Sequence, residues 1–146
     1  MRNLVLVLGD QLDAGSTAFD GFDARHDAVW MAEVHEETTH VWCHKLRIAM
    51  FLSAMRHFRD ALMKRALPVH YHELTADPQS DRGRTFAELL TSSAKRLKPE
   101  RLIVVEPGDW RVREQIRSTA SELGIPIDIR NDDHFLCSTE EFQSWA

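Results

Sequence analysis

The sequence predicts an α/β fold: a five-stranded parallel sheet of Rossmann-like type with helices on both faces. Three observations carry that expectation. Short apolar runs of strand length alternate with longer segments whose apolar residues recur at helical spacing. The strongest runs are apolar at nearly every position, as strands covered on both faces are. A glycine or an acid closes the first, second and fourth runs, where open α/β sheets place their ligand loops.

The elements follow in order. Residues 4–8 (LVLVL) form the first run, closed by Gly9, and a polar loop extends through Arg25 and His26. Residues 28–32 form the second run, ending at Glu33. From His44 to Leu67 the apolar residues Ile48, Phe51, Leu52, Met55, Phe58, Leu62 and Ala66 share one helical face. The other face carries Lys45, Arg47, Arg56, Arg59, Lys64 and Arg65, and Pro68 stops the helix. That cationic face is either solvated or a docking surface for another domain. Residues 69–74 read as a third strand, followed by a turn at Asp77-Pro78. A second helix carries Phe86, Leu89, Leu90, Ala94 and Leu97, with Pro99 beyond its end. Residues 102–105 form the fourth strand, ending at Glu106. A third helix carries Val112, Ile116, Ala120 and Leu123 and stops at Gly124, and residues 127–129 make a short fifth strand. Right-handed crossovers then favour the strand order 3-2-1-4-5.

Composition sets outer bounds. The chain has 146 residues, 43% hydrophobic and 28% charged, which suits one domain with a real core. Lys plus Arg number 18 against 23 Asp plus Glu, a formal net charge of −5. That balance excludes a global field drawing the chain onto nucleic acid or an anionic membrane. Cys43 and Cys137 are too few for a disulfide framework. The apolar start is far too short to span a membrane, so no membrane partner and a cytoplasmic location are expected.

The candidate site lies at the carboxyl ends of the strands. Gly9-Asp10-Gln11-Leu12 and Glu106-Pro107-Gly108-Asp109 should line one crevice, together with Glu33. Carboxylates and an amide there can bond the N–H and hydroxyl groups of a ligand, or they can cap helices and stay in water. Neither G-x-G-x-x-G nor G-x-x-x-x-G-K-[ST] follows the first strand, and Asp10 and Asp13 put negative charge where phosphates would sit. A neutral, hydroxyl-rich ring ligand suits the site better. A free-standing nucleotide-binding module is the alternative, and the missing phosphate loop argues against it. A receiver domain is disfavoured too, since the third strand ends in Glu73-Leu74 and Arg130 follows the fifth.

Other chemistry-bearing patterns fail on spacing. His35 and His40 are five apart, not the four of H-E-x-x-H, and Cys43 and His44 complete no zinc pattern. Ser53 and His57 are one helical turn apart, but no nucleophile elbow or oxyanion hole surrounds the serine. His70 and His72 share one face of a strand, and a partly exposed face accounts for them.

Taken together and in order, several segments resemble the photolyase-related protein family of bacteria. They are residues 4–12 (LVLVLGDQL), Glu33-Val34, His44-Lys45 and residues 53–58 (SAMRHF). Residues 106–112 (EPGDWRV) and 134–138 (HFLCS) continue the resemblance, which covers essentially the whole chain. That family includes iron–sulfur (6-4) photolyases and bacterial cryptochromes. The resemblance implies an N-terminal domain that binds the antenna chromophore 6,7-dimethyl-8-ribityllumazine. It also implies a C-terminal helical domain that binds FAD and a [4Fe–4S] cluster and acts on damaged DNA in light. The antenna-site positions it carries over are Gly9, Asp10, Gln11, Glu33, Glu37, Glu106, Pro107 and Gly108, with Ile48 and Phe51 as apolar walls. Phe51 is bulky for a wall and would narrow the site if it points inward. The chain alone is then expected not to be catalytic. Residues 1–137 would form the antenna-binding domain. Residues 138–146, opened by a capping box from Ser138 to Glu141, would begin the connection to an absent FAD domain.

Overall fold

The structure is a computed structural model, and it describes residues 1–35, 44–75 and 85–145. Five strands run parallel in the order β3-β2-β1-β4-β5. They are β1 (Asn3–Leu6), β2 (Ala28–Ala32), β3 (Val69–His72), β4 (Arg101–Val105) and β5 (Ile127–Arg130). Leu4 pairs with Ala28 on one side and Leu102 on the other, so β1 is central. The expected topology is therefore present.

Side chains alternate between two cores. Leu4, Leu6, Trp30, Leu102 and Val104 point to one face, and Val5, Val29, Met31 and Ile103 to the other. The first face is covered by α2 (Phe86–Leu97) and α3 (Trp110–Leu123), which bury Phe86, Leu89, Leu90, Val112 and Ile116. Trp30 meets Phe86 edge to face at 5.2 Å, a geometry favoured by the ring quadrupoles. The second face is covered by α1 (Lys45–Lys64), through Met55 and Leu62, and by a one-turn 3-10 helix at Thr17–Phe19.

Local chemistry sets the helix ends. Thr85 and Glu88 form a reciprocal capping box at the start of α2, and Asp109 caps α3 by accepting from the Arg111 N–H. Gly124 closes α3 at φ 65°, a left-handed turn that glycine enters without strain. Helix α1 ends three residues before the expected boundary. Leu67 precedes Pro68 and is pushed from helical angles, and Ala66 turns left-handed at φ 58°, outside the apolar stripe predicted for it. Strand β3 is likewise shorter than residues 69–74. The Leu74 N–H is taken by the Glu33 carboxylate at 2.9 Å, so it is unavailable to the ladder. Strand β1 stops at Leu6, although Val7 still donates to the Trp30 carbonyl at 3.0 Å. The short helix α4 (Thr139–Trp145) opens with the predicted exchange between Ser138 and Glu141.

Candidate functional site

A cavity of about 410 Å³ opens at the carboxyl ends of β1, β2 and β4. Three strand exits build its floor: Val7, Leu8, Gly9 and Asp10; Ala32, Glu33 and Val34; and Pro107, Gly108 and Asp109. Helix α1 supplies one wall with Arg47, Ile48, Phe51, Leu52 and Met55, and α2 and α3 supply Phe86, Arg111 and Val112. This is the switch point where neighbouring connections leave β1 and β4 towards opposite faces of the sheet, which opens the crevice.

Seven of the ten predicted site residues line this cavity: Gly9, Asp10, Glu33, Ile48, Phe51, Pro107 and Gly108. Gln11 and Glu106 stand beside it. Gln11 donates through Nε2 to the Glu106 carbonyl at 3.0 Å and the Val105 carbonyl at 3.4 Å, tying the loops after β1 and β4 together. Its Oε1 is buried with no hydrogen-bond partner among the described residues. Glu106 is engaged by Arg113 Nε at 2.8 Å rather than turned to a ligand. Glu37 lies outside the described residues, as do His40, Cys43 and the Asp77-Pro78 turn.

The expectation that Glu33 offers a carboxylate to a ligand is not met. Its side chain is fully buried, and both oxygens are occupied within the chain. Oε1 accepts from Arg56 Nε at 2.7 Å and the Tyr71 hydroxyl at 2.6 Å; Oε2 accepts from Arg56 Nη2 at 2.8 Å and the Leu74 N–H. Burial pushes the carboxyl up, but the hydrogen bonds from Arg56, Tyr71 and Leu74 and the Arg56 charge outweigh it and hold the group below its ordinary value. Arg56 is raised by the same bond, and Tyr71 is raised by burial and then by Glu33.

The cationic face of α1 is therefore only partly solvated. Arg56 also reaches Glu73 at 3.2 Å, while Arg59 holds Glu73 at 2.9 Å and lies over the Tyr71 ring at 4.8 Å. Ser53 and His57 sit exposed on α1. Among the described residues no group of three His, Cys, Asp or Glu side chains can hold a metal, and no helix is long and apolar enough to cross a membrane.

Phe51 turns inward enough to touch the end of β1. A Cβ added at Gly9 would fall 2.4 Å from Phe51 Cζ and 2.6 Å from Cε1. Glycine at position 9 thus leaves the space the phenyl ring occupies. Beyond the expected walls Ile48 and Phe51, the lining includes Leu52 and Met55, which share their helical face, and Arg47 and Arg111. Helical periodicity alone signals the first pair; the arginines look like any solvated charge until the helices are placed.

Comparison with known proteins agrees with this architecture. A family profile described as "Deoxyribodipyrimidine photo-lyase-related protein" matches residues 5–146. A (6-4) photolyase of Agrobacterium fabrum (strain C58) is 40% identical over 146 residues, which is all of this chain and 28% of that protein's length. A match of that extent settles the family, and the chain belongs to the deoxyribodipyrimidine photo-lyase-related proteins.

Proposed function

We propose that this chain is the antenna-chromophore-binding domain of a photolyase-related, light-driven flavoprotein, and that the cavity takes 6,7-dimethyl-8-ribityllumazine. The observation that carries the reading is the cavity itself. Its volume of about 410 Å³ falls within the range of about 300–1,000 Å³ usual for small-molecule sites. Leu8, Val34, Phe51, Leu52, Met55, Phe86 and Val112 give a flat ring system apolar surface. Asp10 lines the cavity as a carboxylate that can accept from ring N–H groups or ribityl hydroxyls.

The bound chromophore would supply light absorption and pass excitation on. The chain's own part is to hold a ring in one orientation and keep water from it. In the longer protein, FAD and a [4Fe–4S] cluster would belong to a C-terminal helical domain that partners this one. That protein would act on damaged DNA in the cytoplasm, or signal as a cryptochrome does. A nucleotide-binding module is not favoured, because the loop from Gly9 to Ala14 carries acids and no phosphate-binding glycine pattern.

Fluorescence titration of the purified chain with 6,7-dimethyl-8-ribityllumazine tests the proposal, with riboflavin and ATP as comparisons. Saturable lumazine binding in preference to both is expected. Absence of binding in both the wild type and Phe51→Ala would overturn it, and preferential ATP binding would support the nucleotide module instead.

A further inference from the structure

We propose that Glu33 and Arg56 are positioning residues for the cavity: their ion pair pins α1 to the ends of β2 and β3 and so sets where Ile48 and Phe51 stand. The inference rests on the chromophore reading above and assigns Glu33 a role other than ligand contact.

The geometry of α1 gives such a pin a role. Its first buried residue is Met55, the eleventh of the helix, and the next is Leu62. No residue from Lys45 to Ala54 is buried, yet this half carries the cavity wall. Within this half Leu52 packs partly buried on the core and Phe51 reaches Gly9, so the wall is set by these contacts together with what holds the second half. Met55 and Leu62, with the partly buried Leu52 and Phe58 beside them, pack α1 on the sheet, but apolar packing is non-directional and resists rolling less than a directional bond does. Arg56 follows Met55 and is held by a two-pronged guanidinium–carboxylate bond, the most directional ion pair available to side chains. Glu33 cannot follow a moving helix, because Tyr71 of β3 and the Leu74 N–H hold its oxygens from the other side. The Arg59–Glu73 pair adds a second tie one turn along. Small rolls of α1 are consequential, since binding geometries need their walls held to within about 0.5 Å.

The test uses lumazine titration below the unfolding temperature, with circular dichroism confirming the fold of each variant. Asp27→Asn is the control for lost stability alone. Asp27 is the matching buried carboxylate at the far end of β2, bonded to Arg2 and to the Asn3 and Asp23 amides. Glu33→Gln and Arg56→Gln should each weaken lumazine affinity roughly tenfold, while Asp27→Asn keeps wild-type affinity. The double variant should bind no worse than the weaker single, because both changes remove one pin. Additive losses would place Glu33 on the ligand and overturn the inference, as would wild-type affinity in both single variants. Should Arg56→Gln fail to fold, Arg56→Lys replaces it; Lys keeps the charge without the planar fork and should show an intermediate loss. If the wild type binds no lumazine, the chromophore reading fails and the pin is judged by amide exchange. Exchange over residues 45–54 should quicken in the Glu33 and Arg56 variants but not in Asp27→Asn, and unchanged exchange overturns it.

Discussion

Adding one methyl group at position 9 should destabilise the chain chiefly through Phe51. The built Cβ meets Phe51 Cζ at 2.4 Å and Met55 Sδ at 3.0 Å. Carbon atoms rest about 3.5–4.0 Å apart, so the ring must withdraw by about 1 Å or more. Overpacking of this kind costs about 1–3 kcal/mol. For a chain of this size that lowers the unfolding midpoint by roughly 3–10 °C. The backbone contributes no strain of its own, since Gly9 is not among the described glycines with positive φ, Gly21 and Gly124. With Phe51 cut to alanine only Met55 Sδ at 3.0 Å must still give way, so Gly9→Ala should cost clearly less than in the wild type. Urea and thermal unfolding of the wild type, both single variants and the double variant complete the cycle. An equal cost of Gly9→Ala in both backgrounds would show that Gly9 does not exist to seat the phenyl ring.

Other outcomes follow from the same geometry. Phe51→Ala should tighten lumazine binding if the ring takes space the chromophore needs, and weaker binding in the titration would make Phe51 a supporting wall. Glu37, a site position on the family resemblance alone, gives a separate outcome: Glu37→Ala should weaken lumazine binding by about 1–3 kcal/mol, the worth of a hydrogen bond to a charged group; a superimposable titration curve removes Glu37 from the site. Glu33 and Asp27 both lie below their ordinary pKa values: burial raises each, and bonds led by Arg56 and Arg2 respectively outweigh it. Their stabilisation is full above the unfolded value of about 4 and is lost as pH falls through the folded one, so urea midpoints should drop below about pH 4, less steeply in Glu33→Gln. Deleting residues 138–146 should barely move the thermal midpoint, since Phe142 and Trp145 are 57% and 83% exposed; a large loss would tie the segment to the core.

The sheet was legible because strand and helix differ in period. Residues 4–8 and 102–105 are apolar at every position, whereas Phe86, Leu89, Leu90 and Ala94 recur at helical spacing. Alternation then assigned the strand order with few alternatives, and the strand order placed the loops after β1 and β4 side by side. Charge pairing was not legible. Glu33 and Arg56 are 23 residues apart, and in the sequence one is an acid after a strand and the other a cation on a polar helix face. Their meeting depends on how α1 rolls over β2 and β3, which no local pattern encodes. The end of β3 was misjudged for the same reason. Leu74 looks like strand sequence, but its N–H is claimed by a side chain from another strand exit. Glu106 and Arg113, seven apart across the turn into α3, come closer to a readable signal, because Asp109 marks the helix start between them.

These pairings also change why the cavity suits an uncharged ring. The sequence argument was that clustered acids repel phosphate. In the folded chain most of that negative charge is already neutralised: Glu33 by Arg56, Glu106 by Arg113 and Asp109 by Arg111 at 2.6 Å. Asp10 is the floor carboxylate with no such partner among the described residues. What remains is a largely apolar cavity with Asp10 and Arg47 as the lining charges outside those pairs. A phosphate would meet no row of backbone N–H groups from a glycine-rich loop, and of the two lining arginines Arg111 is held by Asp109, which leaves it Arg47. A neutral ring with hydroxyl groups loses little on leaving water and finds a partner in Asp10. On the proposed chromophore reading, a preference for a neutral ring would rest on charge already paired within the chain, and the Glu33–Arg56 pair would serve it twice, by removing a free carboxylate and by fixing the wall that faces the ring.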